Sequence, residues 1–404
     1  MKKILDLIKE RAVQLLPEII SIRRMLHEQP ELSFQEFRTA AFVGEILGKY
    51  GIPFKSGIAG TGIVAEIQGV NPSRQTLALR ADMDALPIQE KNTTSYCSKN
   101  AGVMHACGHD AHTASLLGAA KILHEIRHEF EGTVRLIFQP GEEKLPGGAS
   151  LMIKAGVLEN PVPSAILAQH VFPSMETGKV GFRKGMYMAS TDELYLTVKG
   201  KGGHAAMPED YINPIYIASE ILRELNLAFS TNTPAPTVLA FGRFVAEGAT
   251  NVIPAEVKIE GTFRTLDEKW RAQAHAKMIA LAEKTAVRMK GECIFEVRRG
   301  YPFLVNEEAI TERAIACAKT YLGTANVEEL PLRMTAEDFA FYSQQIPACF
   351  YRLGTGNKEK GITSGVHTAT FDIDEKSLSI GAGLMCWIAY NELKMESDHQ
   401  ALKP

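Results

Sequence analysis

Apolar residues recur every three to four positions from Leu5 to Glu28 and again from Phe37 to Tyr50, which predicts two amphipathic helices. Gly51 just beyond the second is a natural C-terminal stop. Strands are expected at Gly62 to Gln68 and Thr76 to Ala81, then a helix from about Ala111 to His128 with Asp110 as its N-cap. Thr133 to Phe138 and Ser164 to Gln169 read as further strands. This alternation argues for an α/β domain in which helices cover both faces of a sheet.

From about Asp192 the order changes. A strand (Glu193 to Lys199), a helix (Pro214 to Ala228), two strands (Thr237 to Phe244, Glu256 to Thr265), a helix (Lys269 to Met289) and a strand (Cys293 to Arg298) follow in turn. That β-α-β-β-α-β order is the split βαβ of a ferredoxin-like domain. Beyond Gly300 come a helix (Asn306 to Leu322), a short strand near Ala348 to Leu353 and a closing helix (Ser377 to Leu393). The expected organisation is therefore a small domain, residues 188–300, inserted into a larger one made of residues 1–187 and 301–404.

A length of 404 residues suits two domains, and 45% hydrophobic with 23% charged residues is ordinary for a globular chain. The formal charge of -3, with no Lys- or Arg-dominated stretch, gives no footprint for nucleic acid. Met1 to Leu16 is broken by Lys2, Lys3, Asp6, Lys9, Glu10 and Arg11, so no signal-peptide core is expected there. No apolar run approaches the roughly 20 residues that span a bilayer. The six cysteines (Cys97, Cys107, Cys293, Cys317, Cys349, Cys386) lack a framework spacing, which suits reduced thiols and a cytoplasmic location.

Candidate chemistry gathers at strand ends, where open α/β sheets place their ligand sites. The strand Thr76 to Ala81 runs into Asp82-Met83-Asp84, His105-Ala106-Cys107-Gly108-His109-Asp110 precedes a helix, and the strand Thr133 to Phe138 runs into Gln139-Pro140-Gly141-Glu142-Glu143. The strand from Ser164 ends at His170, and Gly365-Val366-His367-Thr368 lies late in the chain. Thiolate, imidazole and carboxylate are ligands for a borderline-soft divalent ion, and a one-residue spacer with Gly108 at the bend lets Cys107 and His109 reach one centre. Cys-Gly-His alone is weak, and a lone strand-end His or a Glu pair in a turn is more often structural or solvated. Adjacent Glu142 and Glu143 point to opposite sides of extended backbone, however, so one can bind metal while its neighbour serves as general base.

At these residues the chain resembles the M20 metallopeptidase superfamily, specifically the amidohydrolase branch (subfamily D) with hippurate hydrolases, N-acetyldiaminopimelate deacetylases and plant auxin-conjugate hydrolases. The motifs that carry the resemblance run in order through nearly the whole chain: RADMDALPIQE (Arg80 to Glu90), MHACGHDAHTA (Met104 to Ala114), FQPGEE (Phe138 to Glu143), GKGGHAAMP (Gly200 to Pro208) and HTATFDIDE (His367 to Glu375). The resemblance implies a zinc-peptidase-like α/β catalytic domain with a central mixed sheet, an inserted ferredoxin-like lid, and hydrolysis of N-acyl amino acids. It implies two divalent ions (Zn, Mn, Ni or Co) held by Cys107, His109, Glu143, His170 and His367, with Cys107 where other branches use a carboxylate and bridging both ions. Glu142 would be the general acid/base. Asp84 would orient a ligand or tune the site, although Asp82 replaces a neighbouring histidine of other branches. His204 in the lid would polarise the scissile carbonyl, Asn251 and Arg264 would contact the substrate carboxylate, and the lid would carry a homodimer contact.

Pro208-Glu209, Asn213-Pro214, His367-Thr368-Ala369 and Met334-Thr335-Ala336-Glu337-Asp338 depart from commoner family forms, which leaves the substrate open rather than the chemistry. Three rival readings stand beside this one: a dipeptidase or aminopeptidase of the same superfamily, a catalytically silent metal-binding protein, and a hydrolase using Cys107 with His109 as thiol nucleophile.

Overall fold

Buried Ile8, Ala12, Leu15, Ile19, Ile22 and Leu26 fall on one stripe of the first helix, Lys2–Glu28, which runs unbroken through Pro17. The computed structural model describes residues 2–395. Within them the chain forms two compact units. The first comprises the chain up to Gly185, Val305–Pro331 and the chain from Asp338 onward; the second comprises Met186–Leu304 and Leu332–Glu337. The second unit thus contains residues 188–300 and recruits a six-residue segment from later in the chain.

The first unit is built on an eight-stranded mixed sheet in the order Phe54–Ile58, Gly62–Gln68, Thr133–Gln139, Thr76–Asp82, Ala165–Glu176, Ala348–Gly356, Val180–Phe182, Val327–Glu329. The four central strands of that order are mutually parallel, with Asp82 opposite Gln139 and His170 opposite Arg352. Their side chains are buried almost without interruption, as expected of parallel strands covered by other elements. The helices Lys2–Glu28, His109–Glu125 and Ser377–Leu393 share one hydrophobic core. They meet closely because Gly118 has no Cβ: one built there would lie 2.5 Å from Ile19 and 3.1 Å from Ala382.

Three expectations are corrected. Asp110 does not cap its helix; the helix is His109–Glu125 with Gly108 at its N-cap, and Asp110 lies buried in the first turn, accepting hydrogen bonds from Arg23 Nε at 2.7 Å and His27 Nδ1 at 2.7 Å. His170 does not end its strand, which continues to Glu176. The edge strand Phe54–Ile58 went unpredicted because it is largely exposed and shows no alternation.

The second unit has the expected β-α-β-β-α-β order, in a wholly antiparallel sheet arranged Thr237–Val245, Glu256–Thr265, Asp192–Lys199, Glu292–Arg299. Asn213 caps the first of its two helices, Pro214–Phe229, by accepting from the Ile215 N–H, and Pro214 sits in the first turn where its missing donor costs nothing. A buried ion pair ties the ends of this unit. Asp192 accepts from Arg271 Nη2 at 2.5 Å, from His275 Nε2 at 2.7 Å and from the Gly300 N–H at 3.1 Å.

Burial pushes the Asp192 carboxyl up, but the hydrogen bonds from His275 and Arg271 outweigh it and hold the group below its ordinary range. A depressed folded pKa gives stability that is present above the unfolded value of about 3.9 and lost as the pH falls through the folded value. Asp192→Asn should therefore cost about 2 kcal/mol at neutral pH, because buried Arg271 loses the carboxylate on Nε and Nη2 and keeps only the part-exposed Glu268 on Nη1. It should also flatten the acid dependence of stability below about pH 4. Denaturant unfolding at pH 7 and pH 3 checks both effects.

Candidate metal centre and active site

The carboxyl ends of three parallel strands bring the first-unit candidates together. Asp84 follows the strand Thr76–Asp82, Glu142 and Glu143 follow Thr133–Gln139, and His170 projects from Ala165–Glu176. Cys107 and His109 are supplied by the loop that opens the helix His109–Glu125. That loop turns at Gly108, whose φ is +83° and whose Cβ would lie 2.5 Å from Val171, so glycine is required there on both counts. The His367 backbone N–H donates to the Ala106 carbonyl at 2.7 Å, which draws the late loop against the Cys107 segment.

Five groups of three result among the described residues, in each of which the ligand atoms lie within 4.8 Å of one another. Two share Cys107: Cys107, His109 and His170, and Cys107, Glu143 and His367. One joins Asp82, His109 and His112, and two contain Glu142, with His109 and Glu143 and with Glu337 and Asp338. The Cys107 Sγ lies 3.4 Å from His170 Nε2, and His367 Nε2 lies 3.1 Å from Glu143 Oε1. Glu142, 7% exposed, stands beside them, with one oxygen 4.0 Å from His109 Nε2 and the other accepting from the Asp338 N–H at 3.3 Å.

The outer hydrogen bonds decide which imidazole nitrogen each histidine presents. His109 Nδ1 faces Asp84 Oδ1 at 3.1 Å and His170 Nδ1 faces the Val171 carbonyl at 2.8 Å. Each Nδ1 therefore carries a hydrogen, so Nε2 is the nitrogen left to bind a metal, which at His109 would take the place of a proton; outer-shell acceptors orient a metal-binding imidazole in this way. His109 Nε2 is buried with no hydrogen-bond partner among the described residues, and buried Glu143 Oε1 has only the contact to His367 Nε2. Their surroundings are strongly negative. Burial lowers the His109 pKa, but the Asp82 charge, the bond to Asp84 and the Glu143 charge raise it to about 10. Burial, followed by the Glu143, Glu142 and Asp82 charges, pushes the Cys107 thiol well above its ordinary range. An orphaned ligand atom, a thiol, imidazoles and carboxylates around one negative pocket fit divalent cations, which would relieve the unfavourable crowding of anions.

Sequence reasoning missed the support around this set. His112 Nδ1 donates to Asp82 Oδ1 at 2.6 Å while its Nε2 accepts from the Val171 N–H at 2.9 Å. Its place three residues after His109, on the same helical face, was a usable signal. Arg80 is fully buried and donates to Asp82 at 2.6 Å, Gln139 at 2.9 Å and Asp338 at 2.8 Å. Asp338 ends the family-like stretch Met334-Thr335-Ala336-Glu337-Asp338, which was a usable signal for it.

His204, Asn251 and Arg264 belong to the second unit. The short strands Gly203–His204 and Val252–Ile253 pair antiparallel, so His204, Asn251 and Glu247 line one hollow. The Ala206 N–H donates to His204 Nδ1 at 3.1 Å, which leaves the hydrogen on Nε2 of this exposed ring. Arg264 sits apart from that hollow on the strand Glu256–Thr265, half-buried, donating to the Met334 carbonyl at 3.3 Å and with no carboxylate in ion-pair range among the described residues. Burial lowers its pKa.

Residues 78–391 match the family model described as peptidase family M20/M25/M40. The N-acyl-L-amino acid amidohydrolase of Geobacillus stearothermophilus is 45% identical over 266 residues, 65% of this chain and 71% of that one. The N-acetyl-L-cysteine deacetylase of Bacillus subtilis is 37% identical over 363 residues, 89% of this chain and 85% of that one. Among solved structures, the YXEP protein of Bacillus subtilis, a dinuclear metal-binding peptidase of the M20 family, superposes with a TM-score of 0.80 at 34% identity, covering 94% of this chain and 99% of that one.

Proposed function

This chain belongs to peptidase family M20/M25/M40, and from that premise we propose that it cleaves the amide bond of N-acyl amino acids, acetyl or aroyl, at a centre of two divalent ions. Metal-dependent amide hydrolysis is the chemistry of its relatives and of this chain. The observation that carries the finer reading is the pair of donor sets sharing Cys107, with Glu142 beside them and outside both.

Cys107, His109 and His170 would hold one ion, and Cys107, Glu143 and His367 the other, with the thiolate as bridge. Bound there, Zn, Mn, Co or Ni would supply Lewis acidity that lowers the pKa of water towards neutrality and polarises an amide carbonyl. Glu142 takes the proton of the attacking water and returns it to the departing amine. Asp84 orients His109 through its Nδ1 and holds the Glu143 N–H at 3.0 Å. His204, from this chain or a second copy, donates its Nε2 hydrogen to the developing oxyanion. Asn251 and Arg264 grip the substrate carboxylate, a role that suits an arginine with no carboxylate partner of its own among the described residues. A homodimer through the lid is part of the proposal, supported by the exposed edge strand Thr237–Val245 with Phe244 on its surface.

The Cys107 thiol faces His170 Nε2 at 3.4 Å, whereas the thiol-nucleophile rival needs His109 as its base. Among the described residues no helix is long and apolar enough to cross a membrane.

Chelation should abolish activity, and Zn, Mn, Co or Ni should restore it. On the reconstituted protein, N-acetyl and N-benzoyl amino acids should show higher kcat/KM than free dipeptides. Activity that survives chelation, or a preference for free dipeptides, would overturn the reading.

A further inference from the structure

We propose that the segment Glu31–Glu36 is a clamp on the loop Pro140–Glu143, with Glu36 and Ser33 as positioning residues that set where Glu142 and Glu143 stand. The inference rests on the reading of Glu143 as a ligand and Glu142 as the base.

Glu36 is fully buried and makes no ion pair among the described residues. Its Oε1 accepts the Gly141 N–H at 2.8 Å and the Phe34 N–H at 2.8 Å, and its Oε2 accepts the Thr61 hydroxyl at 2.7 Å. A buried carboxylate without a cation is costly, so its place needs a reason. Capping is not the reason: Glu36 occupies the N-cap of the helix Phe37–Lys49, yet its side chain makes no cap bond there. The carboxylate is turned instead to the loop that carries Glu142 and Glu143.

The backbone is strained on the Phe34 side of this contact, while the other side uses a conformation that only glycine adopts freely. Phe34 has a φ of +66°, rare for a residue with a side chain, and Gly141 has a φ of +58°. The Phe34 ring fills the space beside Gly141 so closely that a Cβ there would lie 2.3 Å from it. Such strain persists where surrounding contacts over-determine a conformation, and it concentrates at functional sites.

A second arm reaches the same loop through Asp84. The Ser33 hydroxyl donates to Asp84 Oδ2 at 2.6 Å, and that oxygen also accepts the Glu143 N–H at 3.0 Å. The segment itself is anchored, because the Ala85 N–H donates to the Glu31 carbonyl at 2.8 Å and Leu32 bridges to Ala85. One short stretch thus holds Gly141 directly and Glu143 through one intermediary.

The test compares Glu36→Ala, Glu36→Gln and Ser33→Ala with the parent, all well below their melting temperatures. Zinc affinity is measured by competition with a chelating dye, and amide hydrogen exchange over residues 140–144 is followed by mass spectrometry. Glu36→Ala should weaken zinc binding about 10- to 100-fold, the range found when an outer-shell partner is removed. It should also speed exchange of the loop and lower kcat with KM little changed. Glu36→Gln keeps an oxygen for the Gly141 N–H and should restore most of both readouts, while Ser33→Ala should weaken zinc binding about tenfold. A folded Glu36→Ala protein with a lowered Tm but parental zinc affinity and loop exchange would overturn the clamp. If that variant does not fold, parental affinity and exchange in Ser33→Ala would overturn it. Neither readout needs a substrate, so failure to hydrolyse N-acyl amino acids would sink the substrate reading and leave the clamp to be decided by these measurements.

Discussion

Glu142→Gln should keep its full complement of metal and melt close to the parent protein while losing about 10²- to 10⁴-fold in kcat, the contribution usual for a positioned general acid or base. The substitution preserves size, and the amide oxygen can still accept the Asp338 N–H that the Glu142 carboxylate accepts at 3.3 Å. What disappears is the capacity to take a proton from water and return it to the amine. Glu142 lies outside the two donor sets that share Cys107 but within a third with His109 and Glu143. Metal retained while activity is lost would mark it as the base, and metal lost in parallel would mark it as a ligand. Metal analysis, thermal melting and steady-state kinetics on one preparation decide the matter. Parental kcat in the loaded variant would remove Glu142 from the mechanism.

Cys107→Ser should have an effect at least as large, through a different route. The thiol belongs to both donor sets, so one substitution strikes both ions. A serine hydroxyl remains protonated near neutrality and is a poor substitute for a thiolate between soft and borderline ions. The bound metal should fall from about two ions per chain to one or fewer, with activity lost in parallel. Cys107→Asp supplies an anionic bridge of similar size and should recover part of the metal content. Two ions retained in Cys107→Ser would show that the thiol is no ligand and would leave the two donor sets unconnected.

The ease with which parts of this molecule are legible differs for physical reasons. The two helices and the four strands of the second unit's main sheet are recoverable to within a residue or two, because they turn apolar residues to a small core of their own and periodicity reports that face. Its two-residue strands Gly203–His204 and Val252–Ile253 are too short to show one. The strand Phe54–Ile58 and the three-residue strands Val180–Phe182 and Val327–Glu329 are invisible to the same reasoning, being exposed or too short to show a period. Asp110 shows how a sound local rule fails. Its position suits a cap, but buried Arg23 and His27 compete for the carboxylate and win it, since both would otherwise be left with unsatisfied polar groups.

At the candidate site the residue types were readable and their arrangement was not. Cys107, His109, Glu142, Glu143, His170 and His367 stand out because thiol, imidazole and carboxylate at strand ends are a recognisable donor chemistry, whatever the fold does with them. By itself, then, the sequence determined the fold class, the order of elements and the kinds of atoms available, since these depend on local periodicity and side-chain chemistry. The family resemblance already implied that Cys107 would serve both ions, whereas the tertiary structure alone decided that Asp84 and Val171 dictate the tautomers of His109 and His170 and that Glu36 is aimed at Gly141. Apart from the adjacent pair His170 and Val171, these depend on groups brought together across tens to hundreds of residues, and contacts over such separations leave no trace in any local pattern.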